Sequence, residues 1–442
     1  MRHLVPALLT LGSSVLAVEP TAPVAAPPAS PVPFRLIDLS LVVMTTVGGS
    51  SAKNADLAEL QVGGHDPART GFTFQGAELS LAGAVDPYFR AEAHLAASEA
   101  HGVELEEAFA TTTGLPGGLE AKAGYYLTEF GITNASHAHA WSWLDRPMVA
   151  ARLLGGEGMR GAGARIDWVA PTSQFLRLGV GVQNPDDATM VSFLGTGHDH
   201  EEDDVHAHGL GGLEPVTSEP RQIRDFLWSV RAVTAVDVSS DATAQLGASG
   251  AFGPNATGPE GRTALYGADL TLRIRTGSGD AGAGDLKAAV EYLGRTAVIA
   301  PRTWEAWDGV SPTDAPVGNG TLLEAGDDTL RDQGLSAEVT YGVVPRWQVG
   351  LRAEWLGGQG DNRHVHELSE EIAEEIERED RNDSPDRSTR TRIAPLIAFQ
   401  PSEFSKLRLQ YAYDRAAHLD DPVHSVWLGL EVLLGAHPAH GF

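Results

Sequence analysis

The 442-residue chain contains no cysteine, which removes disulfide frameworks, zinc–thiolate centres and thiol nucleophiles. Positive charge is scarce: 32 Lys and Arg stand against 59 Asp and Glu, a net charge of −27. A nucleic-acid binder needs a basic surface, so that class is excluded and no nucleic-acid partner is expected. After the N-terminus no apolar run reaches the roughly 18 residues of a membrane helix, and helical periodicity is nearly missing. GxSxG, HExxH and phosphate-loop motifs are missing too, and no enzyme is expected. What is present is 50 glycines and 42% apolar residues, enough for a large core. A strand-rich secreted protein or a membrane β-barrel remains.

The N-terminus reads as an export signal. A basic start, Met1-Arg2-His3, precedes the apolar stretch Leu4 to Leu16, and Val15-Leu16-Ala17 places small residues at a cleavage site. The expected organisation is a signal peptide over 1–17, a Pro/Ala-rich periplasmic leader over 18–33 and one β-domain over 34–442.

From Phe34 onward the pattern has period two, which marks strands with two unlike faces. In Phe89 to Leu95, Arg90, Glu92 and His94 oppose Phe89, Ala91, Ala93 and Leu95. Asp269, Thr271 and Arg273 oppose Leu270, Leu272 and Ile274, and Arg352 and Glu354 oppose Leu351, Ala353 and Trp355. The spacing predicts sixteen strands, near 34–46, 72–84, 88–98, 103–112, 119–131, 158–169, 174–184, 223–236, 241–252, 262–274, 285–299, 332–343, 346–357, 391–400, 405–414 and 423–434. Short turns carrying Pro, Asp and Ser alternate with long links, among them 132–157, 185–222, 300–331 and 358–390. An even strand number with alternating short and long links fits a closed antiparallel transmembrane barrel. A secreted sandwich or propeller is the rival. The charged inner row, Trp168, Trp228, Trp347, Trp355, Tyr411 and Tyr413 at girdle positions, and the terminal Phe442 favour the barrel. In 103–112, Glu104, Glu106 and Glu107 cannot share one face without a bulge.

Charge is concentrated in the long links. The segments 47–71, 99–102, 132–157, 185–222, 253–261, 300–331, 358–390 and 415–422 hold 35 acids and 13 bases, −22 of the total −27, so one rim should gather cations. Histidine accompanies the acid. In 197–209, His198, Asp199, His200 and Glu201 precede His206 and His208, and further His-x-His pairs are His137 with His139 and His364 with His366. If the segments are extended, i and i+2 point the same way and can present two imidazoles to one ion. Imidazole with carboxylate suits Zn²⁺, then Cu²⁺ or Ni²⁺; the alternative is a solvated acidic loop with incidental histidines. The link 132–157 is unusually aromatic. Folded into the barrel, it would bury Trp141 and Trp143 and set His137, His139, Asp145 and Arg146 near a constriction; packed on its neighbours outside, it would not. Leu368, Ile372 and Ile376 suggest a short acidic helix in 358–390.

The stretches Gly131-Ile132-Thr133-Asn134, His137-Ala138-His139-Ala140-Trp141, Asp145-Arg146-Pro147, Leu154 to Gly158, Gly161-Ala162-Gly163 and Trp168 to Pro171, with the tail Gly435 to Phe442, resemble a bacterial family described as zinc-regulated outer-membrane receptors, related to the phosphate-selective porins O and P. The resemblance implies a barrel in a bacterial outer membrane and a role in metal uptake. A plug domain ahead of the first strand would need far more chain than 18–33, so TonB independence is expected. The leading expectation is a porin-like channel that gathers and admits zinc or another divalent ion, with no resident cofactor, in contact with outer-membrane lipid, with a homotrimer as the candidate assembly. The alternatives are a general small-solute porin and a sealed metal-binding barrel.

Overall fold

The computed structural model describes residues 37–435 apart from 100–101, 196–209, 211–215, 217–219, 221, 277–280, 306–321, 326–328 and 360–386. The signal peptide and leader, the helix of 358–390, Phe442, and the sites His198, Asp199, His200, Glu201, His206, His208, His364 and His366 therefore lie outside the described residues.

The strands are β1 (Asp38–Ser50), β2 (Gly71–Ala84), β3 (Phe89–Ser98), β4 (Gly102–Thr112), β5 (Leu119–Leu127), β6 (Arg160–Val169), β7 (Phe175–Gln183), β8 (Leu227–Ser239), β9 (Ala242–Pro254), β10 (Arg262–Arg275), β11 (Asp285–Val298), β12 (Arg302–Glu305), β13 (Leu322–Ala325), β14 (Thr329–Val344), β15 (Trp347–Gln359), β16 (Arg390–Ser402), β17 (Ser405–Ala416) and β18 (Val423–Gly435). Sixteen form a closed antiparallel barrel in chain order, with β1 paired to β18. β12 and β13 make a separate hairpin inside the long link 299–328, an element the alternation did not announce. Closure leaves no sheet edge. Because the strand number is even, β1 begins and β18 ends at the same end of the barrel, the end with the short turns.

The two faces differ as the alternation requires. Leu351, Trp355, Ile393, Ile397, Leu409, Val426, Leu428 and Leu430 are exposed on the outside, whereas Arg352, Arg392, Arg408, Gln410 and Asp414 are buried within. Trp347 and Trp355 both face outward on β15. Eight residues apart, they are separated by about 26 Å along the strand. At a tilt of about 40° that is roughly 20 Å along the barrel axis, close to the height of a lipid-facing belt.

Two strands change phase partway along. Outward Phe72 and Phe74 give way to outward Leu79 and Leu81 in β2, and the ladder to β1 slips between Met44 and Thr45. In β4, His94 pairs with Glu107 and Leu95 with Leu105, so Glu106 is the extra residue. Here the bulge that the three glutamates demand turns both Glu106 and Glu107 inward, and both are buried.

The interior is packed. The link 128–159 crosses inside the barrel and carries α2 (Met148–Leu154); the link 51–70 carries α1 (Asn54–Leu60). Helix α2 and Phe130 pack against Leu227, Ala251, Leu265 and Leu293 on the inner wall. At Gly131 the backbone takes a positive φ of 63°, and a Cβ there would collide with the Glu291 carboxylate. Glycine is what lets the chain turn inward.

Candidate metal site inside the barrel

Buried ion pairs and hydrogen bonds fix the inserted link to one side of the wall, the arc from β11 to β17. The Glu291 carboxylate on β11 accepts from the Ile132 N–H at 2.7 Å and from the Thr133 hydroxyl. Glu354 on β15 accepts the Met148 N–H at the start of α2, 2.7 Å. Asp145 receives Arg352 at 2.5 Å, Arg392 at 2.6 Å and the Gln410 amide at 2.9 Å. Arg352 and Arg392 hold its carboxyl below the ordinary range even though burial alone would raise it. Trp143 packs on Ala394, Leu396 and Ala412. The ladder from β16 to β17 skips Ala394 and Pro395, and the Trp143 indole donates to the Ala394 carbonyl at 2.9 Å. Arg146 is buried with its guanidinium 5.5 Å from the Trp141 ring centre.

This anchoring delivers His137 and His139 to the opposite wall, where the two bulges lie. His137 Nε2 is 2.9 Å from Glu107 Oε2, while Nδ1 is 3.1 Å from Glu106 Oε2 and 3.4 Å from Glu78 Oε1. His94 Nδ1 on β3 is 3.2 Å from the same Glu78 oxygen, and its Nε2 is 3.8 Å from Glu92. His139 holds the other Glu78 oxygen at 2.9 Å. Two ligands on one tetrahedral zinc, with bonds of about 2.0–2.1 Å, lie about 3.3 Å apart. Glu78 Oε1 lies near that spacing from both His94 Nδ1 and His137 Nδ1, and the Glu107 partner on the far nitrogen of His137 is the outer-shell support that orients a metal-bound imidazole. Without an ion, Glu106 and Glu78 outweigh burial and hold the His137 imidazole protonated well above its ordinary range.

A cavity of about 1070 Å³ runs from the short-turn ends of the strands to this cluster. Arg90, Lys122, Arg273 and Lys287 line it near the turns; His94, His137, His139, Trp141 and Trp143 line it at the inserted link.

Several sequence-derived sites thus sit apart. His137 and His139 are inside the barrel rather than on an outer rim. Ala138–Ala140 is a 3-10 turn, so the two imidazoles meet on Glu78 and not by extended i, i+2 alternation. Arg90, Glu92 and His94 border the cavity, and Arg90 pairs with Glu92 at 2.8 Å. Asp269 is buried against Arg231, and Arg273 also lines the cavity. Arg352 and Glu354 anchor the inserted link. Glu78, Glu106 and Glu107 were absent from the sequence-derived site; the phase change between Phe74 and Leu79 was the available signal for Glu78.

No family model matches the chain. A protein of Aquifex aeolicus, described only as uncharacterized, is 27% identical over 433 residues, covering 92% of this chain and 80% of that one. Similar solved structures include the outer membrane protein OmpT of Vibrio cholerae (8% identity, TM-score 0.48, 90% of this chain and 97% of that one). Others are OprB of Pseudomonas putida (11%, 0.48, 90% and 94%) and the outer membrane channel DcaP of Acinetobacter baumannii (9%, 0.47, 90% and 97%).

Proposed function

We propose that the chain is a porin-like barrel of a bacterial outer membrane that admits a divalent metal ion, with zinc the best fit, through the His/Glu cluster at the inserted link. The observation that carries this reading is the convergence of Glu78, His94 and His137 at the head of the cavity. An apolar outer face supports the membrane setting: a closed barrel satisfies every backbone group in lipid. Apart from those carried into the barrel, such as Asp145 and Glu157, the acids of the long links would concentrate cations at the outer end, and the His-x-His pairs of 198–208 and 364–366 would hold them weakly. The lumen mixes both signs of charge in nearly equal number and favours no single anion. Association into a homotrimer belongs to the same reading.

Planar-bilayer recording of the refolded chain in a zinc gradient tests it. A cation-selective current carried in part by Zn²⁺, and losing its zinc preference in His137→Ala, is the expected result. Open pores indifferent to zinc and to the substitution would leave a general small-solute porin. That second reading has its own support, since a protonated His137 between Glu106 and Glu107 would pin the link as an ion pair with no metal involved. A folded barrel without conductance would leave a sealed binding protein.

A further inference from the structure

Behind the Glu78–His94–His137 set lies another. His65, from the link 51–70, Glu106, at the bulge of β4, and Glu157, from the end of the inserted link, bring ligand atoms within 4.8 Å of one another. His65 Nδ1 is 2.7 Å from the Gln75 carbonyl, a carbonyl at the β2 bulge. That contact takes the Nδ1 proton and leaves Nε2 as the free ligand nitrogen, the arrangement found at histidines that bind metal. Nε2 faces Glu157 at 3.7 Å. Glu157 itself sits where a Cβ on Gly64 would fall, so only glycine at 64 admits it. None of His65, Glu106 and Glu157 borders the large cavity, whereas His94 and His137 do. The hidden set is therefore on the long-link side and the first set on the cavity side.

Glu106 joins them, because its Oε2 lies 3.1 Å from His137 Nδ1. Charge is compatible with ions here. Glu78, Glu106, Glu107 and Glu157 are four carboxylates packed together, each with a side-chain exposure of 9% or less, and buried charge must be compensated. Arg146 and the imidazoles of His65, His94, His137 and His139 stand beside them, and a bound divalent ion would share that compensation.

We propose that His65, Glu106 and Glu157 form a second divalent-metal site in series with Glu78, His94 and His137, with Glu106 as the ligand that passes an ion from one to the other. The proposal rests on the metal-channel reading above. It requires no covalent step, only exchange of carboxylate and imidazole ligands around an ion that stays divalent.

Titration of the detergent-solubilised full chain with Co²⁺, followed by its visible absorption and by metal analysis after gel filtration, tests it. Loop histidines contribute equally to every variant. Relative to wild type, His94→Ala and His65→Ala should each lose one equivalent of tightly bound Co²⁺, and the double variant should lose two. Glu157→Gln, which keeps the side chain's size, should reproduce the loss seen in His65→Ala; gel mobility with and without heating verifies that each barrel is closed. Wild-type binding in both His65→Ala and Glu157→Gln, with one equivalent lost in His94→Ala, overturns the second site and leaves the channel reading intact. No loss in any variant overturns the inference, and the zinc reversal potential then decides the channel reading separately.

Discussion

At the scale of single residues, the inserted link depends on Asp145. Its carboxylate has no exposure and faces two guanidiniums that are themselves buried. Removing one partner of such a network costs about 3–5 kcal/mol because the other charges stay behind. Asp145→Asn should destabilise the folded chain by that order in denaturant titrations at neutral pH. The sign of the pH dependence follows from the lowered carboxyl. A carboxylate held below its ordinary 3.8 contributes stability above that value and loses it only as pH falls through the lowered folded-state value. Wild type and Asp145→Asn should therefore stay apart at pH 5 and converge only in stronger acid. A gap already closed at pH 5 would mean Asp145 is not ion-paired.

At the scale of elements, the two bulges decide which carboxylates look inward. Glu106 is the surplus residue of β4, so deleting it leaves His94 opposite Glu107 and Leu95 opposite Leu105, the pairs already present. The barrel should close normally while losing one proposed ligand. Deleting Ala353 from β15 is different in kind. With no bulge at that point to absorb the shift, it turns either Arg352 or Glu354 toward the apolar face. That variant should fail to give the compact, heat-modifiable species on gels that the Glu106 deletion retains. The barrel strands were legible because alternation survives over 9 to 16 residues, and even the β4 bulge showed in the crowding of Glu104, Glu106 and Glu107. Helix α2 was not legible: Met148-Val149-Ala150-Ala151-Arg152-Leu153-Leu154 is apolar nearly all round, and its partners Leu265 and Leu293 lie on strand faces that otherwise read as polar. Nor could the site be read whole, since Glu78, Glu106, His94 and His137 come from four separate segments joined only by the inserted fold.

For the whole molecule, the apolar outer face makes a further prediction. Leu428 stands midway along β18 on the outside. In lipid, Leu428→Arg should cost about 2–4 kcal/mol, measured as a lowered urea midpoint for vesicle-inserted protein. A substitution without cost would argue that this face meets water.

The barrel is one chain bent into a ring, and a ring has a single seam, the ladder between β1 and β18. Zipping it closes a loop of nearly the whole domain, the contact of greatest sequence separation and so the slowest to win back its chain entropy. The inserted link touches both lips of that seam: Ala138 rests on Val42 and Met44 of β1, with Leu433 of β18 and Trp141 beside them, and Leu144 packs on Trp427 of β18. Its Leu144 carbonyl also takes the Gln75 amide of β2 at 2.7 Å. The segment that carries the histidines is thus also a clasp, and a change that frees it from the lumen would loosen the cylinder along the one line where its two ends meet.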